Sequence, residues 1–216
     1  MKGELEVRLE GIVLERVRSF KYLGVWVQED GKWGEMIEHS CKKGKRRLAF
    51  LAGQWEGNKK WTVDERRRIW EFVGRPEVEY GSEVWGEEGG RELGKLERVE
   101  MEAGRKILGV GGAAPNCFVT GGLGWEGVVE NGWEKMARFV GKLEMMEEGR
   151  TVKKVYIKMK LAWGKEKKGG LWIRKIAEVM RRWNLKREWE EGIGEVEKGI
   201  WDRRVKERKQ TWVEAR

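Results

Sequence analysis

The sequence predicts a mostly α-helical fold with a small antiparallel β-sheet at its N-terminus, followed by a helical bundle and a second helical unit. Three observations predict it. From Trp33 onward, apolar residues recur at spacings of three and four, the period of a helix face packed on a core. Before Trp33 they alternate in short runs that are broken by Glu10-Gly11 and Asp30-Gly31, as in strands joined by tight turns. The third is GVGGAAPNC at 109–117, the clearest interruption in the chain. Three regions result: a sheet at 1–30, a helical region at 31–110 and a C-terminal helical region at 111–216.

Leu5, Val7 and Leu9 alternate ahead of Glu10-Gly11, and IVLERV follows, so residues 5–16 fit a hairpin. A third strand at about 20–28 ends at Asp30-Gly31. Three short strands with one apolar face need a packing partner, and the next segment supplies it. Trp33, Ile37, Cys41, Gly44, Leu48, Leu51 and Trp55 form a helix stripe. Thr62-Val-Asp-Glu65 reads as a capping box that opens a helix through Ile69 and Phe72, which Pro76 should kink or end near Arg75. Leu93, Leu96, Val99, Ala103 and Ile107 mark another helix, closed by Gly109. Beyond the break, Val129, Trp133, Met136, Val140 and Leu143 predict a helix that Gly149 terminates. Helices follow at about 152–162, 171–184 and 187 to the end.

Composition bounds the function. The 216 residues carry 46 Lys+Arg against 37 Asp+Glu, a net charge of +9, with 38% charged. Such a balance suits helices with wide solvated faces or a polyanion partner; it bears on association rather than on fold. Cys41 and Cys117 have no metal-ligand spacing, so neither a disulfide scaffold nor a zinc module is expected. His39, the single histidine, reads as a helix-surface residue. With no leader pattern and no apolar run of membrane length, the expectation is a soluble intracellular protein, nuclear or cytoplasmic, without a membrane partner.

Gly 31 and Trp 14 are high while Pro 2 and His 1 are low. The scarce residues have codons that need cytosine, and Gly and Trp are spelled with guanine, so the pattern reads as mutational bias rather than folding physics. Gly44, Gly94, Gly104, Gly132 and Gly141 fall inside expected helices, where each costs about 1 kcal/mol relative to Ala. A marginally stable domain follows from that reading, with a marked gain when all five become alanine.

Catalytic constellations are missing. The Gly-rich stretch at 109–112 lacks the lysine of a phosphate loop. One histidine cannot complete a Ser/His/Asp set, and Asp occurs only at 30, 64 and 202, which leaves no Asp-Asp pair for two metal ions. The chain is therefore expected not to be an enzyme, with no catalytic residues, metal or cofactor. CKKGKRRLAF (41–50) and Arg66–Arg68 instead put clustered cations on helices, which suits phosphate contacts. The basic runs Lys165–Lys168 and Arg203–Lys209 read as loop and surface charge, and the tryptophans as core.

The order of the motifs resembles a known family. FKYLGVWVQEDGKW (20–33), a basic helix, RRRIWEFVGRPEVEYGSEVW (66–85), LERVEMEAGRKILGV (96–110), APNCFVTGGLGW (114–125) and Met-Met-x-x-x-Arg-x-x-Lys-Lys (145–154) follow one another. The succession, over about residues 5–190, is similar to the C-terminal part of the reverse transcriptase of non-LTR (LINE-like) retrotransposons. The resemblance implies that Phe20, Tyr22, Leu23 and Gly24 correspond to a primer grip, with Phe20 and Tyr22 on one strand face and Gly24 admitting close approach. It implies that the following helices correspond to a thumb that grips an RNA–DNA duplex, with Lys42, Lys45, Arg46, Arg66 and Arg68 as phosphate contacts. The family's Tyr/Phe-Ala-Asp-Asp turn is missing from these residues, so the expectation is a truncated, inactive fragment with residual RNA/DNA backbone binding, made to sit against an absent palm and fingers. A host-adopted nucleic-acid-binding module and a structural scaffold are the alternatives.

Overall fold

A computed structural model describes residues 8–9, 12–57, 60–86, 90–166, 170–192 and 198–214. The chain is mostly helical, with its strands at the N-terminal end. Strands β1 (Arg8–Leu9) and β2 (Ile12–Val13) pair antiparallel. Of the expected hairpin at 5–16, residues 5–7, 10 and 11 lie outside the described residues.

The expected single strand at 20–28 is instead a second hairpin: β3 (Ser19–Tyr22) and β4 (Val25–Gln28) pair with Phe20 opposite Val27 and Lys21 opposite Trp26. The reversal falls at Leu23 and Gly24, both with positive φ (47° and 87°). A two-residue loop with that signature matches the right-handed twist of the flanking strands. The two sheets are separate rather than one three-stranded sheet.

Helix α1 (Gly34–Gly57) follows the apolar stripe and buries Met36, Ile37, Cys41, Leu48 and Trp55. The hairpin docks on its first turns, where the backbone amide of Trp26 donates to the Met36 sulfur at 3.4 Å. Thr62 caps α2 (Val63–Ile69) with the reciprocal capping box its sequence announces. The helix does not stop at Pro76. It widens into a π turn over Trp70–Gly74, then continues as α3 (Arg75–Val78). Proline lacks the amide and its ring crowds the carbonyl four residues back, and a wider turn relieves both constraints. Gly74 makes room inside this turn, since a Cβ there would overlap the Trp70 ring.

Helix α4 (Ser82–Trp85) leads to α5 (Gly90–Leu108), which ends at Gly109 with φ 68°. After the 109–115 loop come α6 (Asn116–Leu123) and α7 (Val128–Glu144). Helix α7 ends at Met145, short of Gly149. Helices α8 (Thr151–Glu166), α9 (Gly170–Arg182), α10 (Lys186–Glu191) and α11 (Lys198–Glu214) complete the chain. The expected helix from 187 onward is thus two, parted at Gly192 with φ 94°.

The buried apolar residues form two clusters. One gathers α1, the π turn, α5 and α6 around Trp55, Trp70, Trp85 and Leu96, and reaches Val128. The second begins at Trp133 and collects α7, α9 and α11 around Met136, Trp183, Trp189 and Trp201. The clusters part inside α7.

Three of the five helix glycines are close-packing positions. A Cβ on Gly44 would lie 2.6 Å from the Val78 side chain, one on Gly104 would overlap Val119, and one on Gly141 would overlap the Trp201 ring. Only Gly94 and Gly132 have room for alanine. The expectation of a marked gain from replacing all five is therefore overturned: glycine lets these helix pairs approach.

Two buried ionic groups pin the layers together. Glu100 receives the Arg75 guanidinium at 3.1 Å and Trp70 Nε1 at 3.3 Å, and Arg75 stacks on Trp125 at 4.5 Å. Lys209, expected as surface charge, is 1% exposed: α11 inserts its ammonium between Glu126 and Glu134, with Asn131 Oδ1 at 3.0 Å.

Candidate nucleic-acid interface

The Phe-x-Tyr-Leu-Gly segment forms the β3–β4 hairpin, and its two faces differ. Phe20 and Tyr22 point to water, 60% and 62% exposed, while the opposite face carries Trp26 onto α1. Leu23 lies on neither strand; it is the first residue of the turn and 76% exposed. Gly24 is required by its positive φ and by Tyr80, whose ring edge would lie 3.0 Å from an added Cβ. Its open side is thus filled by the protein itself.

Tyr80 was absent from the candidate residues, although it belongs to the second quoted motif. Its hydroxyl donates to the Leu23 carbonyl at 2.8 Å. Trp85 Nε1 donates to the Tyr80 carbonyl at 2.8 Å, which anchors the segment that presents Tyr80. Between the hairpin and this segment lies a cleft of about 510 Å³, lined by Tyr22, Val25, Trp33, Glu79, Tyr80 and Lys135.

The five basic candidates do not share one face. Lys42 stands on the outer surface of α1, with its ammonium 2.7 Å from Glu38. Lys45 lies on the flank toward α5, beside Lys95 and Arg98, which together with Lys45 act electrostatically on the buried Cys41 thiol. Burial is the larger influence and pushes that thiol's pKa up. Arg46 lies on the opposite flank and, with Lys43, Arg47, Phe50 and Glu77, lines a cleft of about 360 Å³. Arg66 is half-buried and lines a different cleft of about 400 Å³ with Trp55, Arg105 and Lys106. Arg68 is exposed on α2 near Glu65. Between these two, Arg67 turns inward, donating to the Leu123 carbonyl at 3.2 Å.

Two structural assignments limit which cations can meet a ligand. Arg105 is committed to the 109–115 loop, donating to the Ala114 carbonyl and to Asn116 Oδ1, both at 2.7 Å. Arg47 is paired with Glu77 at 2.5 Å. Lys43 belongs to the basic stretch read from the sequence but not to the five named contacts, and Phe50 was missed, although the helical period places both beside Arg46. Phe50 is 60% exposed at that cleft. Among the described residues, no group of three or more His, Cys, Asp and Glu side chains is arranged to hold a metal ion, and no helix is long and apolar enough to cross a membrane.

No protein-family model, curated protein or solved structure matches this chain.

Proposed function

We propose that these residues form a non-catalytic, thumb-like nucleic-acid-binding unit of the non-LTR retrotransposon reverse-transcriptase type, which holds an RNA–DNA or DNA duplex by its backbone. The observation that carries the reading is the meeting of the two motif segments. The Phe-x-Tyr-Leu-Gly turn and the Pro-x-x-x-Tyr-Gly-x-Glu-x-Trp segment are joined by the Tyr80–Leu23 hydrogen bond at 2.8 Å. A hairpin held in this way, beside the flank of α1 that carries Lys43 and Arg46, offers a rigid edge and adjacent cations to one duplex. The non-catalytic part of the reading is supported by the sequence, in which Asp occurs only at 30, 64 and 202 and no Asp-Asp pair is present.

Equilibrium binding of a labelled RNA–DNA duplex tests the reading. Affinity should fall linearly on a log–log scale as salt rises, with a slope of about −0.9 per phosphate neutralised for B-form duplex DNA. Replacing Lys42, Lys45, Arg46 and Arg68 with glutamine should weaken binding severely while leaving the circular dichroism spectrum unchanged. Primer extension on a primed RNA template with magnesium should give no product. Salt-independent or absent duplex binding overturns the reading and leaves a structural scaffold.

A further inference from the structure

The single histidine sits at the junction where the hairpin meets α1. Its ring contacts Trp26 edge-on, with centroids 6.2 Å apart. Lys21 from β3 reaches over the same Trp26 ring at 5.8 Å, and Lys42, Lys43 and Arg46 surround the imidazole from α1. Spacings of four and three along α1 place His39, Lys43 and Arg46 on one ridge. The nearby carboxylates are already engaged, Glu38 by Lys42 and Glu77 by Arg47. Among the described residues, no carboxylate pairs with Lys21, Lys43 or Arg46. Two ring atoms at the junction, His39 Nε2 and Trp26 Nε1, are closed off from water and have no hydrogen-bond partner.

Three cations without a carboxylate partner converge on a histidine, and an anion seated among them would relieve their mutual repulsion. We propose that the junction of Lys21, His39, Lys43 and Arg46 is a phosphate-binding site, and that binding there is coupled to protonation of His39. The inference builds on the proposed function and sharpens it, by naming where a phosphate sits and what reports it.

The coupling has a definite sign. Burial holds the imidazole pKa below its ordinary value, and the repulsion of Lys43, Lys21, Arg46 and Lys42 lowers it further. A phosphate seated among these cations cancels much of that repulsion. Bound phosphate therefore raises the His39 pKa, and by reciprocity a proton on His39 tightens phosphate binding. Each unit of pKa gained corresponds to up to tenfold tighter binding below the free imidazole's pKa. The effect fades above the bound-state value.

Because His39 is the only histidine, its ring proton gives one resonance in an NMR pH titration of the full chain. The titration is run alone, with inorganic phosphate, and with a short RNA–DNA duplex. A rise in the His39 midpoint with either ligand, lost in the Lys43→Gln/Arg46→Gln double variant, supports the site. If phosphate alone raises it and the duplex does not bind, the site takes free phosphate and the polymer reading fails while the inference stands. If the duplex binds with steep salt dependence but neither ligand moves the midpoint, the inference is overturned and the polymer reading stands. The double variant changes a half-buried and an exposed side chain only; its His39 midpoint without ligand should rise, since two repelling cations are gone, and the Trp26 ring-current shift on His39 checks that the junction is intact.

Discussion

Tyr80 donates its hydroxyl to the carbonyl of Leu23 at 2.8 Å, closing a loop of 57 residues between a hairpin tip and the segment that follows the π turn. A two-stranded hairpin is marginal by itself in water. Tyr80→Phe should lower global stability by only about 0.5–1.5 kcal/mol. It should accelerate amide exchange selectively in residues 20–27. Uniform exchange rates across the chain would show that the bond does not hold the hairpin.

Leu23 adopts φ 47°, where a branched side chain crowds its own backbone. Asparagine tolerates that conformation and is preferred ahead of glycine in such turns. Leu23→Asn should therefore stabilise the protein by up to about 1 kcal/mol, read as a higher urea midpoint at unchanged slope. A lower midpoint would mean that the exposed leucine makes contacts worth more than the strain.

The helix glycines separate into two classes. Gly53→Ala and Gly94→Ala meet nothing within 4 Å and should each raise stability by about 0.5–1 kcal/mol. Gly44→Ala, Gly104→Ala and Gly141→Ala must push apart packed side chains and should each cost about 1–3 kcal/mol despite better helix propensity. Calorimetry on the five single variants decides it; a common sign for all five would refute the division.

Lys209→Met removes a buried ammonium but leaves Glu126 and Glu134 facing each other. Loss of one partner from a buried ionic group typically costs about 3–5 kcal/mol. The expected result is a lower thermal midpoint, with partial recovery when Glu134→Gln is added. No recovery would place the loss in packing rather than in charge.

Burial pushes the Glu100 carboxyl above the usual carboxylate range, and its ion pair with Arg75 only partly opposes this. The folded state then holds the proton to higher pH than the unfolded chain does. Stability from this group is full below the unfolded pKa, about 4.3, and declines as pH rises through the folded value. Glu100→Gln should flatten that decline in chemical denaturation from pH 4 upward. Parallel curves for the two proteins would remove Glu100 as its source.

The long helices were legible because one periodic signal decides them. The stripe from Trp33 to Trp55 marks α1, Leu93 to Ile107 marks α5, and the Thr62–Glu65 box marks the start of α2. The Leu23-Gly24 turn was hidden because the apolar residues continue straight through it, and leucine is a poor predictor of positive φ. Helix α6 was missed because NCFVTGGL has two glycines and no charged residue, and its place is set by Val119 and Leu123 packing on α5. Lys209 sits in a run of surface cations, and nothing local distinguishes it; its partners come from residues 126–134. The basic candidates were visible as a composition, but their division among three flanks follows from tertiary packing.

The π turn at Trp70–Gly74 means that this helix holds one residue more than α geometry has places for. Each residue of an α-helix turns the chain by about 100°. The wide turn absorbs that residue, so the segments on either side keep the phase of an uninterrupted α-helix. Deleting Val73, whose side chain is 41% exposed, would let the turn close to α geometry with Arg75 still facing Glu100 and Tyr80 still facing Leu23. The loss would fall on Pro76, which would then have to fit an ordinary helix turn. The surplus residue is thus local slack: a one-residue deletion is absorbed here, whereas the same deletion inside the continuous helix α5 would turn half of that helix away from its partners.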